Sequence, residues 1–461
     1  MRESSVFIER RSRSAAAALI SGLCVAITAS LALLASNNPW ASMLVGAGIC
    51  AAVLGVFLLL RPLHALYLAI FFTLLPGGLR VEPIYTVISN LTVLVALLGW
   101  IVQWVLRRES IRWNVTWLLL AAYIAIGIIS LLWAPDLIEG RRKAVAYSIG
   151  FVLLFLLVHQ MRNLRSVDGL MAAMRLIGWI IVAGGLFAIA SGSYQPGQRL
   201  SIYEINQNQL VMVMLLLVPA FVWPVLRSSG PARKLKMLLG GIFILCTFIF
   251  TVLSGSRGGA LSLIVMLGGL FLSRQVRPWA FLGAILSVGA IVAAPSVLIT
   301  IAQRFEEPEG GSFGGRDLLW EAGLLLIQDR PWSGVGLGGG PLELPKYVAM
   351  LTGDPFLNGK RVLQSHNPLL EVGGDTGLFG MMLYGSILAS ALWQTARKRR
   401  PAESGQVMSF YRPLILVVAA AYFISWIKSG GVENNPTFFI LLGLLLIPAL
   451  MADVARQEEI R

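Results

Sequence analysis

Apolar runs close to the thickness of a bilayer recur from Ala15 to Met451, and they leave the backbone few options. A run of ~20 apolar residues in lipid finds no water for its N–H and C=O groups, so it folds as a helix or closes into a barrel. Barrel strands read as short alternating segments, unlike these continuous runs. Only 13% of the 461 residues are charged and 57% are hydrophobic, whereas soluble domains are about one-quarter charged. The sequence therefore predicts an all-α polytopic membrane protein. Candidate spans fall at about 15–36, 40–60, 63–78, 85–106, 113–133, 144–161, 169–190, 209–226, 236–253, 258–273, 279–301, 368–395, 412–427 and 437–453, some of them half-helices or re-entrant.

Met1–Ser14 sets Arg2, Arg10, Arg11 and Arg13 before an apolar run that lacks a convincing small-residue cleavage site, which reads as a retained first helix. In a soluble chain the net charge of +14 would suggest nucleic acid. Here most Lys and Arg lie in short connections, where they set orientation, and no nucleic-acid partner is expected. The clusters at 10–13, 107–112, 162–165, 233–236, 274–277 and 397–400 occupy alternate connections, predicted to face the cytoplasm together with both termini. Cys24, Cys50 and Cys246 lie inside apolar runs without a CxxC, as packing residues do.

The opposite connections then face the exterior, and several carry positive charge that orientation does not explain. They hold Arg80, Arg141-Arg142-Lys143, Arg199, Arg257, and the loop residues Arg304, Arg316, Arg330, Lys360 and Arg361. As a set these predict an anionic ligand at that surface, such as a phosphate-bearing lipid, although single arginines could pair with Glu204, Asp136 or Asp317 or with lipid headgroups. Arg199 is followed by Asn206-Gln207-Asn208, amides suited either to sugar hydroxyls or to capping the next helix. Arg257, in Ser254-Gly255-Ser256-Arg257-Gly258-Gly259, has almost no loop around it and must sit at the membrane boundary, where its planar fork suits a diphosphate.

The longest polar interruption is 303–366. Arg316-Asp317 opens a segment whose leucines and Trp320 suit an amphipathic helix on the membrane, with Asp317 near its N-terminus. Gly334, Gly336 and Gly339 match GxGxxG without a strand before them, so they read as a flexible turn. At the end of the loop, Asn367 and Pro368 predict a helix N-cap and first residue, which puts His366 at the helix mouth. There the helix dipole and nearby arginines favour neutral imidazole, able to take a proton from a sugar hydroxyl. Inside that helix Glu371 and Asp375 are ionisable at membrane depth, and Gly373, Gly374 and Gly377 beside them would equally serve close packing. His64 and His159 stand apart from the exterior arginines.

Arg199 with Asn206-Gln207-Asn208, Ser256-Arg257-Gly258, Arg316-Asp317 with Trp320, Pro331-Trp332-Ser333-Gly334-Val335-Gly336, and Ser365-His366-Asn367 with Gly377 together resemble the O-antigen ligase family, related to O-antigen polymerases and bacterial protein O-oligosaccharyltransferases. The resemblance covers about 199 to 380. It implies a C-type glycosyltransferase-like bundle of about twelve (12–14) transmembrane helices in the inner membrane, with one long periplasmic loop. In that reading 1–302 and 367–461 are the transmembrane parts, and 303–366 is a loop domain carrying catalytic residues. It further implies an undecaprenyl-diphosphate-linked polysaccharide donor and a lipid A–core acceptor, with neither metal nor nucleotide. His366 would be the base and Arg199, Arg257 and Arg316 a diphosphate clamp, joined by Arg142. Asn206, Asn208, Asp317, Arg361, Asn367 and Asp375 would give sugar or supporting contacts. A polymerase or protein ligase using the same donor stays open. A lipid-linked sugar transporter fits less well, since no inverted repeat is seen.

Overall fold

The computed structural model describes residues 53–75, 84–108, 111–195, 199–203, 205–272, 316–354, 362–397, 405–427 and 436–460, with single positions between 277 and 289. The predicted span at 15–36, most of that at 279–301, Arg80, Arg304, Glu204, Lys360 and Arg361 lie outside these residues, as does the connection 428–435. Every regular element among the described residues is a helix. Eight of them are long and apolar enough to cross a bilayer, nine if one bent pair counts as a single span. The chain is a multi-pass membrane protein.

Two compact units divide the chain. The first, Met1–Ala69 with Thr86–Arg112, contains α1 (Val53–Leu60), the start of α2 (Pro62–Leu74) and nearly all of α3 (Ile84–Arg107). Pro62 has no N–H to continue α1, and α2 leaves at 114°. Gly99 of α3 lies under this corner, where a Cβ would stand 2.7 Å from the Leu59 carbonyl oxygen.

The second unit contains α4 (Val115–Ser130), α5 (Leu137–Gln160), α6 (Leu164–Ala190), α7 (Gln207–Leu226), α8 (Pro231–Leu253), α9 (Arg257–Leu272), α10 (Arg316–Asp329), α11 (Gly340–Thr352), α12 (Pro368–Ala396), α13 (Gly405–Trp426) and α14 (Thr437–Ile460). Short polar side chains start several of them. Asn114 accepts from the Thr116 N–H, Asp136 from Ile138 and Glu139, Asn163 from Ser166, Asn206 from Asn208, and Asn367 from Leu369 and Leu370. Each satisfies N–H groups that a helix leaves unpaired. α7, buried on almost every face, is the central post.

α4 and α12 pack antiparallel. Asn114 Nδ2 donates to Gln394 Oε1 at 2.8 Å, and the Thr116 and Ser390 hydroxyls lie 2.9 Å apart. At a rise of 1.5 Å per residue α4 covers about 24 Å, and with the turn that follows it the apolar span reaches Trp133 and approaches the ~30 Å hydrocarbon thickness, with Trp113 before it. Indole rings are favoured at such interfaces.

The sequence expectation placed the start of α5 near 144, leaving Arg141-Arg142-Lys143 in a connection. The helix begins at Leu137, because Asp136 caps two N–H groups there. Lys143 is thereby carried into the bundle, 1% exposed.

Between α9 and α12 the described loop residues build their own small core. Ala322 and Leu326 of α10 pack with Val335 and with Leu344, Tyr347 and Val348 of α11. Glycines of α12 admit α10 closely, with Ile327 at Gly373 and Leu326 at Gly374. The face of α10 that carries Ala322, Gly323, Leu326 and Ile327 is covered by protein, while Leu324 of the helix expected to lie on the membrane stays exposed.

α12 itself is broken at Gly377, whose φ of 70° and ψ of −172° interrupt the helix. A Cβ there would stand 2.6 Å from the Trp332 carbonyl carbon and oxygen. We expect Gly377→Ala to cost at least ~2 kcal/mol, from left-handed strain and overpacking together, read as a lowered thermal-shift midpoint in detergent. Gly385, in the same helix with nothing within 4 Å of a built Cβ, should accept alanine with an unchanged or higher midpoint.

Candidate active site at the mouth of the broken helix

His366 sits between a clamp and a cap. Ser365 Oγ accepts from the Asn367 N–H at 3.3 Å and donates to the Asn367 carbonyl at 3.1 Å. Asn367 Oδ1 takes the Leu369 and Leu370 N–H groups, at 3.0 and 3.4 Å. From α10, Trp320 Nε1 donates to the Ser365 carbonyl at 3.1 Å. Held on both sides, His366 adopts φ +50°, a left-handed conformation that non-glycine residues seldom take. Such strain persists only where the surroundings over-determine it, and it clusters at functional sites.

The imidazole is half-buried. Burial, then the Arg316 guanidinium, hold its pKa below the ordinary histidine value, while Glu371 pulls in the other direction. The sequence expectation of a neutral imidazole near arginine agrees with this, with burial as the larger cause. Arg316 is the first residue of α10; burial depresses its pKa too, though a guanidinium stays charged. Asp317 beside it is exposed in the first turn, where its charge suits the helix dipole.

Beneath His366 lies a buried ion cluster. Lys143 Nζ stands 2.5 Å from Glu371 Oε1 and 3.0 Å from Asp375 Oδ2, all three side chains at most 3% exposed. Asp375 Oδ1 accepts the Gly340 N–H at 2.8 Å. The glycine turn is bound into this cluster and into the broken helix. The Val335 N–H donates to the Gly374 carbonyl and the Gly336 N–H to the Asp375 carbonyl, both at 2.9 Å. The Leu337 N–H meets Ser130 Oγ of α4 at 3.0 Å, and the Leu378 N–H meets the Pro331 carbonyl at 2.7 Å. Residues 334–340 are all buried. The sequence reading of a flexible turn is corrected here. Positive φ at Gly334, Gly336 and Gly338 folds the chain so that its amides satisfy α12 and α4.

A second cluster joins two other connections. Arg199 Nε donates to the Ser254 carbonyl at 3.0 Å, and the Leu200 N–H to the Leu253 carbonyl at 2.9 Å. Ser256 Oγ donates to Asn208 Oδ1 at 2.7 Å and accepts the Gly259 N–H at 3.0 Å. Arg257, exposed, is the first residue of α9. Asn206 caps α7 while Asn208 ties α7 to the 254–257 turn, so the two amides left open between capping and sugar contact have separate tasks. Arg142 is exposed and bidentate on Glu139, at 2.8 and 2.5 Å.

Both clusters occupy the same end of the bundle. Phe439 of α14 lies on Gly150 of α5 and Leu157 on Gly443, so α5 and α14 run parallel. Tyr422 and Thr437 bond at 2.7 Å, which puts the end of α13 at the start of α14. Trp223 near the end of α7 meets Tyr411 near the start of α13, so α7 begins at that same end.

Residues 242–385, under a third of the chain, match the family model described as O-antigen ligase. The match makes this segment similar to the O-antigen ligase family. No curated protein matches it. The ligase-family segment contains Arg257, Arg316, His366, Glu371 and Asp375, whereas Arg142, Lys143 and Arg199 precede it. Lys143, which the sequence reading placed among the exterior cations, is instead buried against Glu371 and Asp375. Its signal was present in the spacing of Gly140, Lys143, Tyr147 and Gly150, a stripe of small and aromatic residues on one helix face, all buried.

The two neighbours on α5 differ in a measurable way. Lys143→Met leaves two buried carboxylates without their cation and is expected to cost about 3–5 kcal/mol. Arg142→Met removes an exposed pair worth at most ~1 kcal/mol. Thermal-shift midpoints of the two variants in the same detergent check the difference.

Proposed function

We propose that this protein is a membrane glycosyltransferase that ligates an undecaprenyl-diphosphate-linked O-antigen polysaccharide to a sugar hydroxyl of lipid A–core in lipopolysaccharide biosynthesis. The observation that carries the reading is His366, strained, half-buried and with its pKa held down by burial and by Arg316, within the segment that matches the ligase family. A neutral imidazole at this position can take the acceptor proton as its oxygen attacks the anomeric carbon. The leaving diphosphate gains charge as the glycosidic C–O bond breaks. Arg316, Arg257 and Arg199 offset that charge, Arg142 stands further out on Glu139, and the first turns of α9 and α10 add N-terminal dipoles. Arginine forks and a histidine base suffice for this chemistry in the proposed mechanism, which routes no step through a metal.

The end of the bundle that holds both clusters is the periplasmic face in this proposal, with the protein in the cell inner membrane and its termini in the cytoplasm. Residues 303–366 act as the loop domain between the transmembrane parts 1–302 and 367–461. Asn208, Asn206, Asn367, Asp317, Asp375 and Arg361 support the site or its sugars. Of the same-donor alternatives, polymerase and ligase separate by deletion of the gene: polymer still on its lipid carrier marks a ligase, single repeats on the core a polymerase.

In a purified assay with lipid-linked donor and acceptor, His366→Ala is expected to lose about 10²–10⁴-fold in rate; retained activity sinks the base assignment. The pH profile is a second check. Because the imidazole must be neutral and its pKa is lowered, activity should persist below the ordinary histidine value of about 6.5 before falling. Arg316→Gln removes a charge that lowers that pKa, so its acid limb should move up toward about 6.5, whatever happens to the plateau.

A further inference from the structure

The buried cluster behind His366 holds two carboxylates and one ammonium, so with all three ionised it carries one excess negative charge. Glu371 is 5% exposed. Its Oε1 is taken by Lys143, and its Oε2 has no hydrogen-bond partner among the described residues. Glu371 lines a small pocket, with room for about one water-sized probe, together with Ser365, the neighbour of His366, and with Gly340 and Leu344. A buried carboxylate oxygen left bare is costly and calls for a use elsewhere. The charged and titratable groups linked to it are Lys143 from α5, Asp375 from α12 and His366 just before α12, and Arg316 from α10 acts on His366.

We propose that Glu371 is the counter-charge for the imidazolium that forms at His366 during transfer, a positioning residue that acts through His366 and not on the substrate. The inference rests on His366 being the base. In that step the acceptor oxygen bonds to the anomeric carbon and its proton moves to the imidazole. The C–O bond to the diphosphate breaks, and the electron pair leaves with the diphosphate. Glu371 exchanges no atom. It offsets a cation that burial and Arg316 both oppose, in a water-poor site where fixed charge acts strongly. The proton then passes from His366 to solvent. The arrangement explains why Lys143 is outnumbered: a second buried cation would cancel the field at His366.

The chain has three histidines, so ring NMR of the full-length protein in nanodiscs can follow His366 directly, its signal assigned by its loss in His366→Ala. E371Q keeps the volume, keeps an oxygen for Lys143, and leaves Lys143 paired one to one with Asp375. It should fold, with a melting midpoint no more than about 3 °C below the starting protein. We expect E371Q to lower the His366 titration midpoint by about half a unit or more, and Glu371→Asp, which keeps the charge, to leave it within about 0.2 units. Transfer from the lipid-linked donor should fall roughly tenfold in E371Q and recover largely in Glu371→Asp. An E371Q protein that does not fold, or one that folds with the His366 midpoint unmoved, overturns the proposal. If His366→Ala is active, the base reading falls; if His366→Ala is inactive and E371Q leaves the midpoint in place, only the counter-charge falls.

Discussion

The contact of Lys143 with Glu371 and Asp375 is the constraint on which the rest of the site depends. An ammonium in a bundle of this hydrophobicity is tolerable only if paired, and its partners lie 228 and 232 residues away in the chain. Satisfying it fixes α5 against the first turns of α12. Asp375, fixed in turn, receives the Gly340 amide, and its carbonyl receives Gly336. The glycine turn, the start of α11 and the mouth of α12 are thereby set by one cation. His366, a single residue before the Asn367 cap, takes its position from that assembly and from Trp320.

This dependence explains what the sequence revealed and what it hid. The helices were legible because a long apolar run in lipid has no other backbone solution. The caps at Asn206 and Asn367 were legible, since short side chains at run boundaries bind free N–H groups, whereas those at Asn114, Asp136 and Asn163 emerge only from the structure. The placement of His366 and Arg316 was legible because their setting is local, a helix mouth and a helix start. Lys143 was hidden because it reads as the third member of a basic triplet. Only the helix register, set by Asp136, turns it inward while Arg141 and Arg142 stay out.

The glycine turn was misjudged for a related reason. Seven residues that include Gly334, Gly336, Gly338, Gly339 and Gly340 look flexible when only backbone freedom is considered. In the folded chain that freedom is used once, to aim amides at carbonyls of α12 that Gly377 has released from helical bonding. The break and the turn are complementary, and neither pattern is interpretable without the other. The joining of Arg199 to the 254–257 turn was equally out of reach, because it runs through a backbone carbonyl that any sequence would supply.

The break at Gly377 also bears on how bulky molecules come and go. Residues 331–340 are tied to α12 by main-chain hydrogen bonds and to α4 through the Leu337 N–H on Ser130 Oγ, with 334–340 buried where no water stands ready to replace these bonds. Lifting this segment would expose several amides and carbonyls at once, so it acts as a fixed wall and not as a swinging lid. In the proposed mechanism, traffic past His366 then runs along the surface of that wall, without the cycle of closing and reopening that a hinged cover would impose.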